Sequence, residues 1–227
     1  MSTAACPTAV DLERPLSVAL REATAEAHER AEGSAFMSDL LGGVHPLGAY
    51  TALVVQNHAI YSALESLTPP WRGHDVAGAF VRDELLRLPS LERDLAVLLG
   101  GSWRASAAEL VQPATMTYVA RLRDVAGTWA AGFVAHHYVR YLGDLSGGQV
   151  VGRRVGDLFG AAGAAATSFY RFDAIAKVKP FRDDYRARLD AVPIDADERG
   201  RMFAEAVRAF RLNRAVFVEL AEYSAAL

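Results

Sequence analysis

The feature that most constrains this chain is a cluster of glycines inside a helical pattern. Tyr138-Val-Arg-Tyr-Leu-Gly143-Asp144-Leu-Ser146-Gly147-Gly148-Gln149 places three glycines within six residues. Each glycine costs a helix up to about 1 kcal/mol relative to alanine. A helix that keeps three of them needs a compensating contact. Gly143 and Gly147 are four apart and share one face. Two missing side chains there open the backbone either to a neighbouring helix or to a flat ligand. The Gly147-Gly148 pair is also a natural kink. Asp144 stands four residues after Arg140, within pairing distance on a helix.

The rest of the sequence reads as all-α. Alanine, leucine, arginine and glutamate dominate, β signals are scarce, and apolar residues recur every three or four positions. The pattern predicts helices over 16–31, 46–67, 114–125, 128–159, 181–189 and 195–223, with Asp195 or Asp197 at the last N-cap. It also predicts two short helices within 76–99, split at Pro89. Residues 161–166 read as a loop or a frayed helix end. The chain of 227 residues suits one domain, expected over 12–223, with tails at 1–11 and 224–227.

Composition narrows the chemistry. The net charge of −3 provides no electrostatic footprint for nucleic acid. Cys6 is the sole cysteine, so cysteine-based zinc and iron–sulfur sites are excluded and a reducing, cytoplasmic setting is expected. No signal peptide, membrane span or C-terminal anchor is expected from the sequence, which reads as soluble. Leu145-Ser-Gly-Gly-Gln149 also matches the signature of ABC-type ATPases. No P-loop accompanies it, and neither Lys177 nor Lys179 follows a glycine.

A second informative segment is Leu16 to Glu32. Arg21, Thr24, His28 and Glu32 form one stripe beside its apolar face. A neutral imidazole ligates iron well, and its other nitrogen is usually held by an acceptor such as Glu32 one turn on. Arg21 lies two turns back, about 10 Å along the axis. His136 competes: it precedes Gly143 by seven residues on nearly the same stripe. His45 and His74 read as solvated and His58 as a core residue. Periodicity leaves His28 and His136 both open.

Together these segments resemble the heme oxygenase family. Residues 138–150 are similar to its distal-helix signature, and Leu20 to His28 with Ala31-Glu32 and Phe36-Met37 to its proximal helix. Ile60 to Glu65, Phe181 to Arg186 and Ala209 to Asn213 supply three further blocks, in the family's order. The resemblance implies an all-α fold with heme between a proximal helix and a kinked glycine-rich distal helix. It implies His28 as the iron ligand, oriented by Glu32, and so favours it over His136. Gly143 and Gly147 would bring backbone onto the heme face, and Gly148 would help the bend. Asp144 would hold a distal water that hydrogen-bonds oxygen, in a network with Arg140 and Tyr61. Arg21, Tyr138, Arg182 and Arg186 would face the heme propionates, and Phe210 and Asn213 would complete the pocket. Arg21 and Arg182 stand where the family commonly has lysine, a change that affects how a carboxylate is gripped.

The implied activity is opening of heme b by O2 and externally supplied electrons to biliverdin, expected as the α isomer, with CO and ferrous iron. Heme is both cofactor and substrate. A ferredoxin or flavin reductase would supply electrons, docking near Arg182, to a monomer without a membrane anchor. Two other readings follow from the same residues. A heme carrier of the same fold needs His28 and the cations but has no need of the Arg140, Gly143, Asp144 and Gly147 set. A helical interaction module leaves the glycine cluster unexplained.

Overall fold

A computed structural model describes residues 14–227; the expected tail at 1–11 and Cys6 lie outside them. The described residues form ten α-helices and no strand. They are α1 (Leu16–Glu32), α2 (Ala35–Gly42), α3 (Leu47–Ser66), α4 (Leu88–Leu99), α5 (Trp103–Leu110), α6 (Pro113–Val125), α7 (Ala130–His137), α8 (Gln149–Ala165), α9 (Val178–Asp190) and α10 (Ala196–Ser224). No helix among them is long and apolar enough to cross a membrane.

Two helices organise the core. In α3, a buried run from Ala49 to Asn57 continues through Ile60, Tyr61, Ala63 and Leu64. Apolar on all sides, it must be enclosed. It packs on α4 and α6. The 29-residue α10 runs along the other side and touches α1, α2, α3, α6 and α7. Asp195 is its N-cap, accepting from the Glu198 amide at 2.8 Å. Other helix starts use carboxylates from distant elements. Asp190 accepts from the Ser17 amide at 2.8 Å, Glu219 from the Ala114 amide at 2.7 Å, and Glu65 from the Arg87 amide at 2.6 Å. Each places a negative charge where a helix start exposes unpaired N–H groups.

Several sequence expectations change. The first half of 76–99 holds short 3-10 turns, and only Leu88–Leu99 is α-helical. Pro89 begins that helix rather than dividing two, because the first turn needs no proline N–H. α2 and α5 were not anticipated; both are eight-residue helices beside glycines. α2 ends at Gly43, whose φ of 80° suits a left-handed C-cap. Residues 161–165 are helical, after a break at Gly160 with φ 59°. The expected helix over 128–159 starts at Ala130 and contains two π-helical turns, Tyr138–Leu142 and Asp144–Gly148.

Candidate heme pocket

The two π turns sit at the glycine cluster. A π turn admits an extra residue into the helix and re-aims the side chains around it. Here it turns Arg140, Gly143, Asp144, Gly147 and Gly148 toward one cavity of about 160 Å3. His28, Ala31 and Glu32 of α1 line the same cavity, as do Phe210, Asn213 and Phe217 of α10. Leu53 and Asn57 of α3 and Phe169 and Tyr170 of the segment after α8 complete it.

The glycines divide by role. A Cβ built on Gly143 or Gly147 meets no heavy atom within 4 Å. No neighbouring helix therefore requires these two glycines; their bare faces open into the cavity. A Cβ on Gly148 would lie 2.9 Å from the Tyr170 ring, and one on Gly152 would lie 3.0 Å from Tyr170 Cβ. Close packing thus accounts for Gly148 and Gly152, and the role expected for Gly148 in bending the helix is joined by this contact.

Asp144 accepts a short hydrogen bond from the Tyr61 hydroxyl. Burial raises its carboxyl above the ordinary aspartate range, against the opposing pull of Arg140 and Tyr61. The expected Arg140–Asp144 ion pair does not form. Arg140 instead donates to Asn213 Oδ1 and Asn57 Oδ1, both at 2.7 Å, and lies over the Tyr61 ring at 4.9 Å. Two neutral amides hold the guanidinium away from direct contact, so Arg140 acts on Asp144 through space. Arg140 Nε is buried with no protein partner. Such an unsatisfied donor marks a place for an additional polar partner.

On the opposite wall, His28 is half-exposed, and its Nε2 lies 3.1 Å from Glu32 Oε1. The Phe210 ring meets the imidazole edge-on at 5.3 Å. His136 points elsewhere. It is fully buried between α7 and α10, with Nε2 2.9 Å from Glu205 Oε1. Arg121 pairs with the other Glu205 oxygen at 2.5 Å. His58 is half-buried against Trp103, with ring centroids 5.2 Å apart. His74 is exposed as expected, whereas His45 is partly buried and stacks on Phe36.

Arg21, Tyr138, Arg182 and Arg186 do not line the cavity. Arg21 and Arg186 both act electrostatically on the Tyr138 phenol, so the three lie near one another where α1, the distal helix and α9 meet. Arg186 is paired with Asp183 at 3.0 Å. Arg182 is partly buried, and its Nε has no partner.

Asn57, Phe169, Tyr170 and Phe217 were missing from the sequence-derived site. Asn57 carried a weak signal, an amide beside Gln56 in a helix that is mostly buried and apolar. Phe169 and Tyr170 carried none, because distant groups place them. Asp94, fully buried, accepts from the Ser168 and Phe169 amides at 2.9 and 2.8 Å. Arg87 donates to the Phe169 carbonyl at 3.1 Å.

The described residues form an all-helical fold whose cavity has His28 on one wall and the open Gly143 and Gly147 on the other. Residues 14–219 match the family model for heme oxygenase. The chain is 34% identical to a heme oxygenase of Rhodella violacea over 205 residues, covering 90% of this chain and 86% of that one. It superposes on heme oxygenase-1 of the cyanobacterium Synechocystis, solved in complex with heme, with a TM-score of 0.86 and 35% identity, covering 93% and 95% of the two chains. The heme oxygenase of Leptospira interrogans gives a TM-score of 0.85 at 32% identity, covering 91% of this chain and 100% of that one. The chain belongs to the heme oxygenase family.

Proposed function

We propose that this protein binds one heme b between α1 and the distal helix and opens its ring to biliverdin, CO and ferrous iron, using O2 and external electrons. The observation that carries the reading is the pair of open glycines, Gly143 and Gly147, facing the His28 wall across a cavity that also receives Asp144. The residues fit such a group: an imidazole backed by a carboxylate, a backbone face without side chains, and apolar walls from Phe210 and Phe217. The cavity is smaller than the roughly 300–1,000 Å3 usual for a bound small molecule. Binding therefore spreads the two walls.

The macrocycle and its iron supply the oxygen chemistry when bound. The chain's own residues supply position and protons. His28 would hold the iron of the bound heme, and Glu32 would hold its second ring nitrogen. Glu32 faces Nε2 of His28, so Nδ1 is the ring nitrogen left free of it. Gly143 and Gly147 would let the macrocycle approach the distal backbone, since neither carries a side chain toward the cavity. Asp144, kept in place by Tyr61, would hold a water that delivers protons, with Arg140 opposing the neutralisation that burial favours. Arg21, Tyr138, Arg182 and Arg186 anchor the propionates at the rim and so set the ring's rotation. Cleavage at the α position rests on that seating, and replacing Arg182 and Arg186 together should change the biliverdin isomers separated by chromatography.

The test is a visible spectrum. One equivalent of hemin should give a Soret band, and ascorbate in air should bleach it while bilin absorbance rises. A Soret band that survives reductant and O2 would replace the enzyme by a heme carrier of the same fold. No Soret shift would remove both.

A further inference from the structure

Arg182 and Arg186 lie one turn apart on α9, and α9 is lightly tied to the body of the protein. It packs chiefly on α1 and on the 3-10 turn Gly78–Phe80. Its fully buried residues are Tyr185 and Leu189. Tyr185 bonds His137 Nδ1 at 2.8 Å, and Asp190 accepts from the Ser17 amide at the far end. On a helix of about 3.6 residues per turn, Phe181, Asp184 and Arg188 form the edge on one side of that buried stripe. Arg182 and Arg186 form the edge on the other. Contacts made to the first edge therefore set how far α9 rolls, and with it where the two arginines reach. A roll of about 10° moves a side chain at the helix surface by about 1 Å.

One residue grips that first edge. Arg82, in the segment before α4, donates through Nη1 to Asp184 Oδ2 at 2.8 Å and through Nη2 to Glu84 Oε1 at 3.0 Å. Its guanidinium carbon lies 4.2 Å from the centre of the Phe181 ring. Arg188 donates to the same Asp184 oxygen at 2.8 Å. An isolated exposed ion pair contributes little to stability. Here one planar group is held on three sides, its side chain is 26% exposed, and it joins residues 102 positions apart. Glu84 fixes the guanidinium to its own segment, so Arg82 presents a fixed fork to α9 rather than a mobile charge. The other edge is left open. Arg186 pairs with Asp183 of its own helix, and Arg182 Nε is buried with no partner among the described residues.

We infer that Arg82 is a positioning residue for heme seating: by holding Phe181 and Asp184 it sets the roll of α9 that brings Arg182 and Arg186 onto the propionates, and so selects which meso carbon is opened. The inference rests on the heme-opening reading and on the propionate role given to Arg182 and Arg186. The outline of the macrocycle is nearly four-fold symmetric, and the propionates are what distinguish one rotation from another. The histidine wall and the glycine wall meet the ring alike in each rotation. A small displacement of the two arginines therefore redistributes the seatings without emptying the pocket.

The experiment compares heme-loaded wild type with Arg82→Ala, Arg82→Lys, Asp184→Asn and Arg72→Ala by two readouts. Heme-methyl proton resonances of the ferric complex report the seating without turnover. Chromatography of the biliverdin isomers after ascorbate-driven turnover reports the carbon opened. Wild type should show one dominant seating and one dominant isomer. Arg82→Ala should raise the minor seating and the minor isomer together, by about threefold or more. Asp184→Asn, which keeps the shape and removes the charge that Arg82 grips, should act in the same direction. Arg82→Lys keeps one bond to Asp184 and should return both readouts part of the way to wild type. Arg72→Ala breaks an ion pair of the same segment, to Asp83 at 2.6 Å, without touching α9, and should leave both unchanged. If Arg82→Ala and Asp184→Asn keep the wild-type resonances and isomers while Arg182→Ala with Arg186→Ala changes them, the arginines seat the heme without the clamp and the inference is wrong. If that double variant changes nothing either, the propionate role falls and takes the inference with it. No Soret band in wild type would strike the heme-opening reading and the inference together.

Discussion

Tyr61 of α3 donates its hydroxyl hydrogen bond to Asp144 of the distal helix, joining two elements 83 residues apart at the centre of the pocket. That bond fixes a carboxylate where burial works against its charge. Ionising Asp144 in the folded protein therefore costs stability. Its folded pKa is raised, so its favourable contribution is present at low pH and is lost as pH rises through that value. Asp144→Asn keeps an acceptor for Tyr61 and removes the charge. The variant without heme should have a higher Tm than wild type at pH 7, with the difference shrinking on acidification. It should bind heme and form little biliverdin. Thermal melts at several pH values, with a bilin assay, check both halves. Equal stability at pH 7 would mean that Asp144 carries no desolvation cost.

The glycines provide a sharper contrast. Gly143→Ala and Gly147→Ala meet open space, so each should stabilise the heme-free helix by up to about 1 kcal/mol. Each should weaken hemin binding, and Gly143→Leu should abolish it. Gly148→Ala and Gly152→Ala press on Tyr170 and should destabilise the protein before heme is added. Denaturant unfolding and hemin titration on the four alanine variants separate the two classes. Similar behaviour of Gly143→Ala and Gly148→Ala would end the distinction between a ligand face and a packing face.

How much of this was legible in the sequence follows from where the signal lies. The Tyr138–Gln149 cluster and the His28–Glu32 spacing are local patterns, legible in the sequence itself. So are the long helices with unbroken apolar periodicity. α5 escaped because eight residues give too few repeats to reveal a period. The Arg140 contacts escaped because Asn57 and Asn213 reach it from two other helices. The Tyr170 contact escaped because Asp94 and Arg87 place its turn from far along the chain. Three helix starts were equally hidden, since Asp190, Glu219 and Glu65 cap them from a distance rather than from the preceding residue. Sequence periodicity reports which face of a helix is buried and leaves the identity of its partner unstated.

Acid should unfold this protein earlier than its surface ion pairs would suggest. His137 is buried against Tyr141 and Tyr185, and burial pushes its imidazole down to about 3. Burial also lowers His136. A histidine with a depressed folded pKa stabilises the fold above the unfolded value near 6.5 and loses that contribution as pH falls. Burial raises Glu205, but its hydrogen bonds to His136 and Arg121 outweigh this and bring it down to about 2. Its contribution is present above the ordinary glutamate range and fades as pH falls toward 2. All three act in one direction. Stability from urea denaturation should decline by several kcal/mol between pH 6.5 and 4, and Glu205→Gln should lose about 1–3 kcal/mol at pH 7. A flat profile over that window would show that the histidines gain protons without unfolding.

The proposal of His28 rather than His136 as the iron ligand rests on what each ring can reach. His136 is enclosed, and Glu205 occupies its Nε2, so exchanging it for iron would require breaking a buried charged network. His28 borders the cavity and is half-exposed, and Glu32 leaves one ring nitrogen available. His28→Ala should therefore fold normally, since the residue is not part of the core. It should bind hemin with an altered Soret band, lose bilin formation, and regain part of both on addition of imidazole, which can occupy the space left beside Phe210. His136→Ala should show the opposite balance: lower thermal stability from the stranded Glu205, with the hemin spectrum kept wherever the protein remains folded. Spectra and melts of the two variants, read side by side, decide the ligand. A normal Soret band in His28→Ala together with its loss in a folded His136→Ala would transfer the iron to His136.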